Sequence, residues 1–180
     1  MTMPLISYFI LVAASLPESL PSAAGEFLLL SVFPVEKGLI MVGLVVVLYA
    51  SVYLHLKKRT GLVTTGPYRL VRHPQYLGAI LLTMGFTGWS YWVLTHTFGI
   101  GFLTPTQTIA VWVIELLAYV TIAGIEEVYL LKAYGELFEQ YQNTVPFLIP
   151  GVSTRNRWLD TIISTILPTL MLMTLVLIQS

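Results

Sequence analysis

Four long runs with almost no charge constrain this chain more than any other feature. Gly38 to His55 carries none, and Lys57-Lys58-Arg59 follows it as a stop at a water interface. Tyr76 to Thr95 is the next uncharged run. Thr106 to Ile125 is interrupted by Glu115 alone, and Leu159 to Ile178 comes last, with Pro168 expected to kink it. Each is close to the ~20 apolar residues that cross a bilayer as a helix. Pro4 to Leu16 is shorter and reads as a tilted span or a re-entrant piece, and Ser22 to Pro34 as external or interfacial. The expected fold is therefore an all-α, polytopic membrane bundle of about five transmembrane helices, forming a single domain over residues 1–180. Composition agrees: 10% of residues are charged and mean hydropathy is +0.81, whereas a soluble domain carries about a quarter charged residues.

Other classes fall away on similar grounds. A net charge of zero gives no reason to expect a nucleic-acid partner. The absence of cysteine excludes disulfides, thiolate metal sites and cysteine nucleophiles. Three scattered histidines make no metal-ligand spacing, so no metal is expected. Met1 to Pro4 lacks the basic side chain that a signal peptide usually carries, so the N-terminal apolar stretch reads as a retained membrane segment. Gly99-Ile100-Gly101 has no strand before it and is not read as a nucleotide loop.

Eight of the nine basic residues lie in two stretches, Lys57 to Arg72 and Lys132 to Arg157. Alternating spans bring both stretches to one side, which the distribution of lysine and arginine makes the cytoplasmic one. Between Ile125 and Tyr141 the helical period persists while charge rises. The third central span is thus expected to leave the bilayer as an amphipathic helix that Gly135 tolerates or bends.

The run Gly66-Pro-Tyr-Arg-Leu-Val-Arg72-His73-Pro74-Gln-Tyr76 is a polar knot between two apolar spans. Pro67 forces a turn, and Pro74 suits the first turn of the next helix. His73 then sits at or near an N-cap, where free backbone N–H groups favour a carboxylate or phosphate. A lipid-headgroup anchor is the plainer use of such arginines. Glu126-Glu127 is the matching polar element: adjacent helical positions point about 100° apart, so one can face the bundle while its neighbour flanks it. The pair can accept hydrogen bonds from ribose hydroxyls or an ammonium group, or it can simply pair with Arg69 or Arg72. Deep inside a span, Glu115 shares a face with Glu126 and Tyr119, since eleven residues at 100° return to within about 20°. Tyr76, Thr83, Thr87 and Ser90 line one face of the preceding span. Two polar stripes suggest a cavity or a hydrogen-bonded seam.

Together these residues resemble the isoprenylcysteine carboxyl methyltransferase and phospholipid N-methyltransferase superfamily. The likeness rests on Gly66-Pro-Tyr-Arg with Arg72-His73-Pro74-Gln-Tyr76-Leu77-Gly78. It continues with Glu126-Glu127, Tyr134-Gly135-Glu136, Tyr141 and Val145-Pro146-Phe-Leu-Ile149-Pro150, and spans about Gly38 to Pro150. It implies an integral membrane enzyme that binds S-adenosylmethionine at the cytoplasmic face and methylates a lipid or small hydrophobic acceptor. His73, Tyr76, Leu77, Gly78, Glu127, Tyr141 and Pro146 would line the cofactor pocket. Glu126, Glu115 and Arg72 would be catalytic candidates, with Glu126 or Glu115 as base where the acceptor needs one.

Two departures stand out. Carboxyl-methylating relatives tend to carry an arginine shortly before the acidic pair, where this chain has Ile122-Ala123-Gly124-Ile125. The final span after Pro150 is also additional, and is expected either to wall the path of the lipid or to support a homodimer. Compactness suggests a prokaryotic plasma membrane. The rival readings are an NADPH-dependent lipid or sterol-like reductase, which the acidic pair disfavours beside a pyrophosphate, and a non-catalytic membrane scaffold.

Overall fold

The computed structural model describes residues 10, 34–58, 61–96, 103–154 and 156–179. Four helices among these are long and apolar enough to cross a membrane: α1 (Pro34–Lys57), α2 (Pro74–His96), α3 (Pro105–Tyr134) and, after the short α4 (Glu136–Thr144), α5 (Arg157–Gln179). The chain is a helical membrane bundle, as its apolar runs require. The expected fifth span at Pro4 to Leu16, apart from Ile10, lies outside the described residues. So do residues 22–33, Arg59, Gly99 to Gly101 and Arg155.

Local chemistry sets the helix ends. Pro74 opens α2, and the His73 carbonyl accepts from the N–H groups of Tyr76 and Leu77. Thr104 and Gln107 close a reciprocal capping box at the start of α3, with Pro105 at the first helical position. At thirty residues, α3 rises about 45 Å, more than the ~30 Å hydrocarbon layer, so it must leave the bilayer. The expected amphipathic continuation is two pieces rather than one. Gly135 adopts φ 51°, caps α3 through its N–H to Leu131 O, and separates α3 from α4. Pro168 lies inside α5, whose helix runs through it.

α2 is the central helix, with α1, α3 and α5 all packed on it. The contact with α1 depends on glycine. A Cβ at Gly78 would stand 2.6 Å from Val47 N, one at Gly85 would stand 2.7 Å from Glu36 O, and one at Gly43 would run into the Leu82 backbone. Small residues at a helix crossing let backbones approach where no hydrophobic effect drives association. On the other side Trp112, Leu116 and Tyr119 of α3 meet Tyr76, Ile80 and Met84 of α2, with Leu172 and Leu175 of α5 closing the core. The hydroxyl stripe of α2 serves this seam. Thr83 and Thr87 donate to carbonyls one turn back, and Trp112 Nε1 donates to Thr83 Oγ1 at 3.1 Å.

The end of α1, the start of α2, the end of α3 and the start of α5 fall at one end of the bundle. Lys57, Lys58, Arg69, Arg72 and Lys132 fall there too.

Candidate functional site

The turn Gly66–Arg69 is a single 3₁₀ turn, with Gly66 at φ 62° against the Tyr53 ring and Pro67 at its start. It sends Arg69 outward and leaves Arg72 and His73 buried just ahead of α2. Arg72 is then held at each of its near edges. Its backbone N–H donates to Pro146 O at 2.8 Å. Nε donates to Glu127 Oε1 at 2.6 Å, and Nη1 to Gln142 O and Val145 O at 2.8 and 2.6 Å. Gln142 Nε2 donates to the other oxygen of Glu127 at 3.0 Å. A charge this deep is tolerable only when paired and hydrogen-bonded on most sides.

His73 lies between the two carboxylates. Nε2 is 3.4 Å from Glu127 Oε1, and Nδ1 is 3.6 Å from Glu126 Oε2. Its ring stacks on Tyr76 and meets Phe147 edge-on, and the Arg72 guanidinium lies over the same Phe147 ring. Burial opposes the charged imidazolium, but hydrogen bonds and charge from Glu126 and Glu127 outweigh it, so the His73 pKa is raised. The imidazole and the Arg72 guanidinium thus both face the two carboxylates. Tyr76 Oη donates to Glu126 Oε1 at 2.6 Å, while the Glu126 side chain keeps 42% of its surface exposed.

That exposure opens onto a cavity of about 340 Å³ at this end of the bundle. Its polar lining includes Arg72, His73, Gln75, Glu126, Tyr68 and Tyr141, with Lys58, Tyr129 and Tyr134 also on the wall. Leu54 of α1, Leu62 and Val63 of the connecting loop, and Leu130 and Phe138 of α3 and α4 supply apolar wall. Tyr141 Oη donates to Tyr68 O at 2.6 Å, and Tyr68 Oη to Gln75 Oε1 at 2.9 Å. Burial pushes both phenols up from their usual range, so both remain O–H donors.

The positions anticipated from sequence separate into three groups. Arg72, His73, Glu126 and Tyr141 reach the cavity. Tyr76, Glu127 and Pro146 stand behind it: Tyr76 holds Glu126, while Glu127 and the Pro146 carbonyl hold Arg72. Of the two acidic neighbours, Glu126 faces the cavity and Glu127 is buried behind it. Leu77 and Gly78 do not line it; Gly78 is spent on the crossing with α1. Glu115 lies some three turns deeper than Glu126 and is buried, with Thr83 of α2 beside its carboxyl group.

Several participants were not anticipated. Tyr68 and Gln75 fall within the quoted motifs, so the motif itself was a signal. Gln142 and Asp160 had none, because their roles depend on where α4 and α5 fold back.

An all-helical membrane bundle with a buried Arg–His–Glu–Glu network beneath a cavity at its basic end defines a polytopic membrane protein with a built polar site. The chain belongs to a family of proteins of unknown function, DUF1295, whose pattern matches residues 6–145. No curated protein and no solved structure matches it.

Proposed function

We propose that this protein transfers a methyl group from S-adenosylmethionine to a lipid or small hydrophobic acceptor at the cytoplasmic face of the membrane. The observation that carries the reading is the partly exposed Glu126 carboxylate, fixed by Tyr76 and His73, in a cavity with otherwise largely apolar walls. The chemistry of these groups fits the cofactor. Glu126 accepts from ribose hydroxyls or an ammonium group, and Leu62, Val63, Leu130 and Phe138 offer apolar surface to a purine ring. Arg72, which borders the cavity, offers positive charge to the carboxylate of the cofactor's amino-acid end.

When bound, the cofactor supplies an activated methyl on a sulfonium, so the protein's task is chiefly positioning and exclusion of water. Arg72, Glu127 and Gln142 fix the turn ahead of α2 against α3 and α4. His73 and Tyr76 fix Glu126. Where the acceptor is an amine or hydroxyl, a proton must leave it, and Glu126 Oε2 is the carboxylate oxygen that His73 steadies at the cavity wall. Leu54 of α1 and Tyr129 of α3 extend the wall to the membrane-spanning helices, consistent with an acceptor arriving from the bilayer. Lysine and arginine at this end of the bundle support a cytoplasmic orientation.

The test is calorimetric titration of detergent-purified protein with S-adenosylhomocysteine, with NADPH in parallel. Saturable S-adenosylhomocysteine binding that Glu126→Gln weakens is the expected result. NADPH binding alone would replace this reading with a reductase.

A further inference from the structure

The family match ends at residue 145, yet the helix beyond it reaches the ion network. After Pro150 the chain turns at Gly151, φ 78°, with Val152 N–H donating to Ile149 O. α5 then returns along α2 and α3. Leu172 and Leu175 anchor it in the core, and a Cβ at Gly88 of α2 would stand 2.7 Å from the Leu175 side chain. This docking fixes the first turn of α5, which carries Asp160, 5% exposed. Thr154 donates to Asp160 Oδ1 twice, from N at 2.9 Å and from Oγ1 at 2.8 Å. The carboxylate is thereby locked, and Oδ2 lies 4.0 Å from Arg72 Nη2.

Nη2 is the one edge of the guanidinium still without a hydrogen bond among the described residues, and it is buried. A buried charged donor left open is costly. A carboxylate at this distance supplies the countercharge, and a small shift or one bridging water completes the bond. Arg72 borders the cavity and shares Glu127 Oε1 with His73, so its placement controls the groups around Glu126.

We propose that Asp160 is a positioning residue of the cavity: the C-terminal membrane helix completes the site by holding the third edge of Arg72. The inference rests on the reading of the cavity as a ligand site. Asp160 withholds Arg72 from a fuller claim on Glu127 and so leaves that carboxylate available to His73. His73 faces Glu126 and Glu127 of α3, with Tyr76 and Phe147 as its ring neighbours and Arg72 beside it.

The test uses Asp160→Asn in the full-length protein, a change that keeps side-chain shape and an acceptor for Thr154. S-adenosylhomocysteine affinity is expected to fall about tenfold. Asp160→Glu, which retains the charge, restores most of it. In an Arg72→Lys background the same Asp160→Asn change has less than about a twofold effect. An equal effect in both backgrounds means that Asp160 only supports the fold, and overturns the proposal. A second reading needs no cofactor: the His73 imidazole, titrated by NMR and assigned by its loss in His73→Gln, shifts to lower pKa in Asp160→Asn. If the wild-type protein fails to bind S-adenosylhomocysteine, the proposed function falls, whereas the His73 shift still supports Asp160. An unchanged His73 titration overturns the role of Asp160 whatever the ligand does.

Discussion

Arg72 and Glu127 are 55 residues apart in sequence and 2.6 Å apart in space, Nε to Oε1, with side chains only 2% and 1% exposed. This contact ties the turn ahead of α2 to the emerging end of α3, and the two carbonyls on Nη1 add α4 and the segment after it. Removing the arginine strands a buried carboxylate. Arg72→Met is expected to destabilise the protein by about 3–5 kcal/mol. Arg72→Lys recovers only part of this, because an ammonium cannot span Glu127 and two carbonyls as a planar fork does. Denaturant unfolding in detergent measures both.

Glu126 and Glu127 are neighbours with opposite expected phenotypes. Glu127→Gln removes the partner of Arg72 and lowers thermal stability. Glu126→Gln leaves a polar side chain at a partly exposed position, changes the unfolding midpoint little, and weakens S-adenosylhomocysteine binding. Paired unfolding and titration curves distinguish the two. Equal loss of binding without loss of stability in both would contradict the division between cavity and buried wall.

His73 predicts a pH dependence of definite sign. Its pKa in the folded protein is raised above the ordinary 6.5, because Glu126 and Glu127 outweigh burial. The folded state therefore binds this proton more tightly than the unfolded chain does. The resulting stabilisation is fully present below pH 6.5 and is lost as pH rises through the folded pKa. The unfolding midpoint should fall over that interval, and His73→Asn should flatten the fall. A midpoint rising there with pH in the wild type alone would contradict the assignment.

Gly78 carries a packing prediction separate from the chemistry. Its missing Cβ lets α1 pass with Val47 N 2.6 Å from where that atom would lie. Backbone cannot yield as a flexible side chain does, so Gly78→Ala is expected to cost about 1–3 kcal/mol. The same change should leave the charge network of the folded protein intact, which the His73 titration reports.

Glu115 tests the choice of base. It lies three turns below the cavity mouth and does not line it. Glu115→Gln is expected to leave S-adenosylhomocysteine affinity unchanged, and turnover unchanged once an acceptor is found. Loss of turnover with intact binding would transfer the proton-accepting role from Glu126 to Glu115.

The class of fold was already legible in the pattern of apolar runs. Bilayer thickness turns Gly38 to His55, Tyr76 to Thr95, Thr106 to Ile125 and Leu159 to Ile178 into helices, and short connections bring their polar flanks to one end. The polar knot and the acidic pair were legible for the same reason: charge beside a span is costly enough to stand out. Which acid faces the cavity depended on packing, because a 100° step between Glu126 and Glu127 acquires meaning only once α2 and α4 have docked. The role of Gly78 at a helix crossing depended on packing too, since close approach depends on the partner's backbone. Asp160 illustrates the limit best. At the margin of an apolar run it has the look of an ordinary interfacial carboxylate, and its tie to Arg72 exists only because the Gly151 turn and the packing of Leu172 and Leu175 bring α5 back against a motif almost ninety residues earlier.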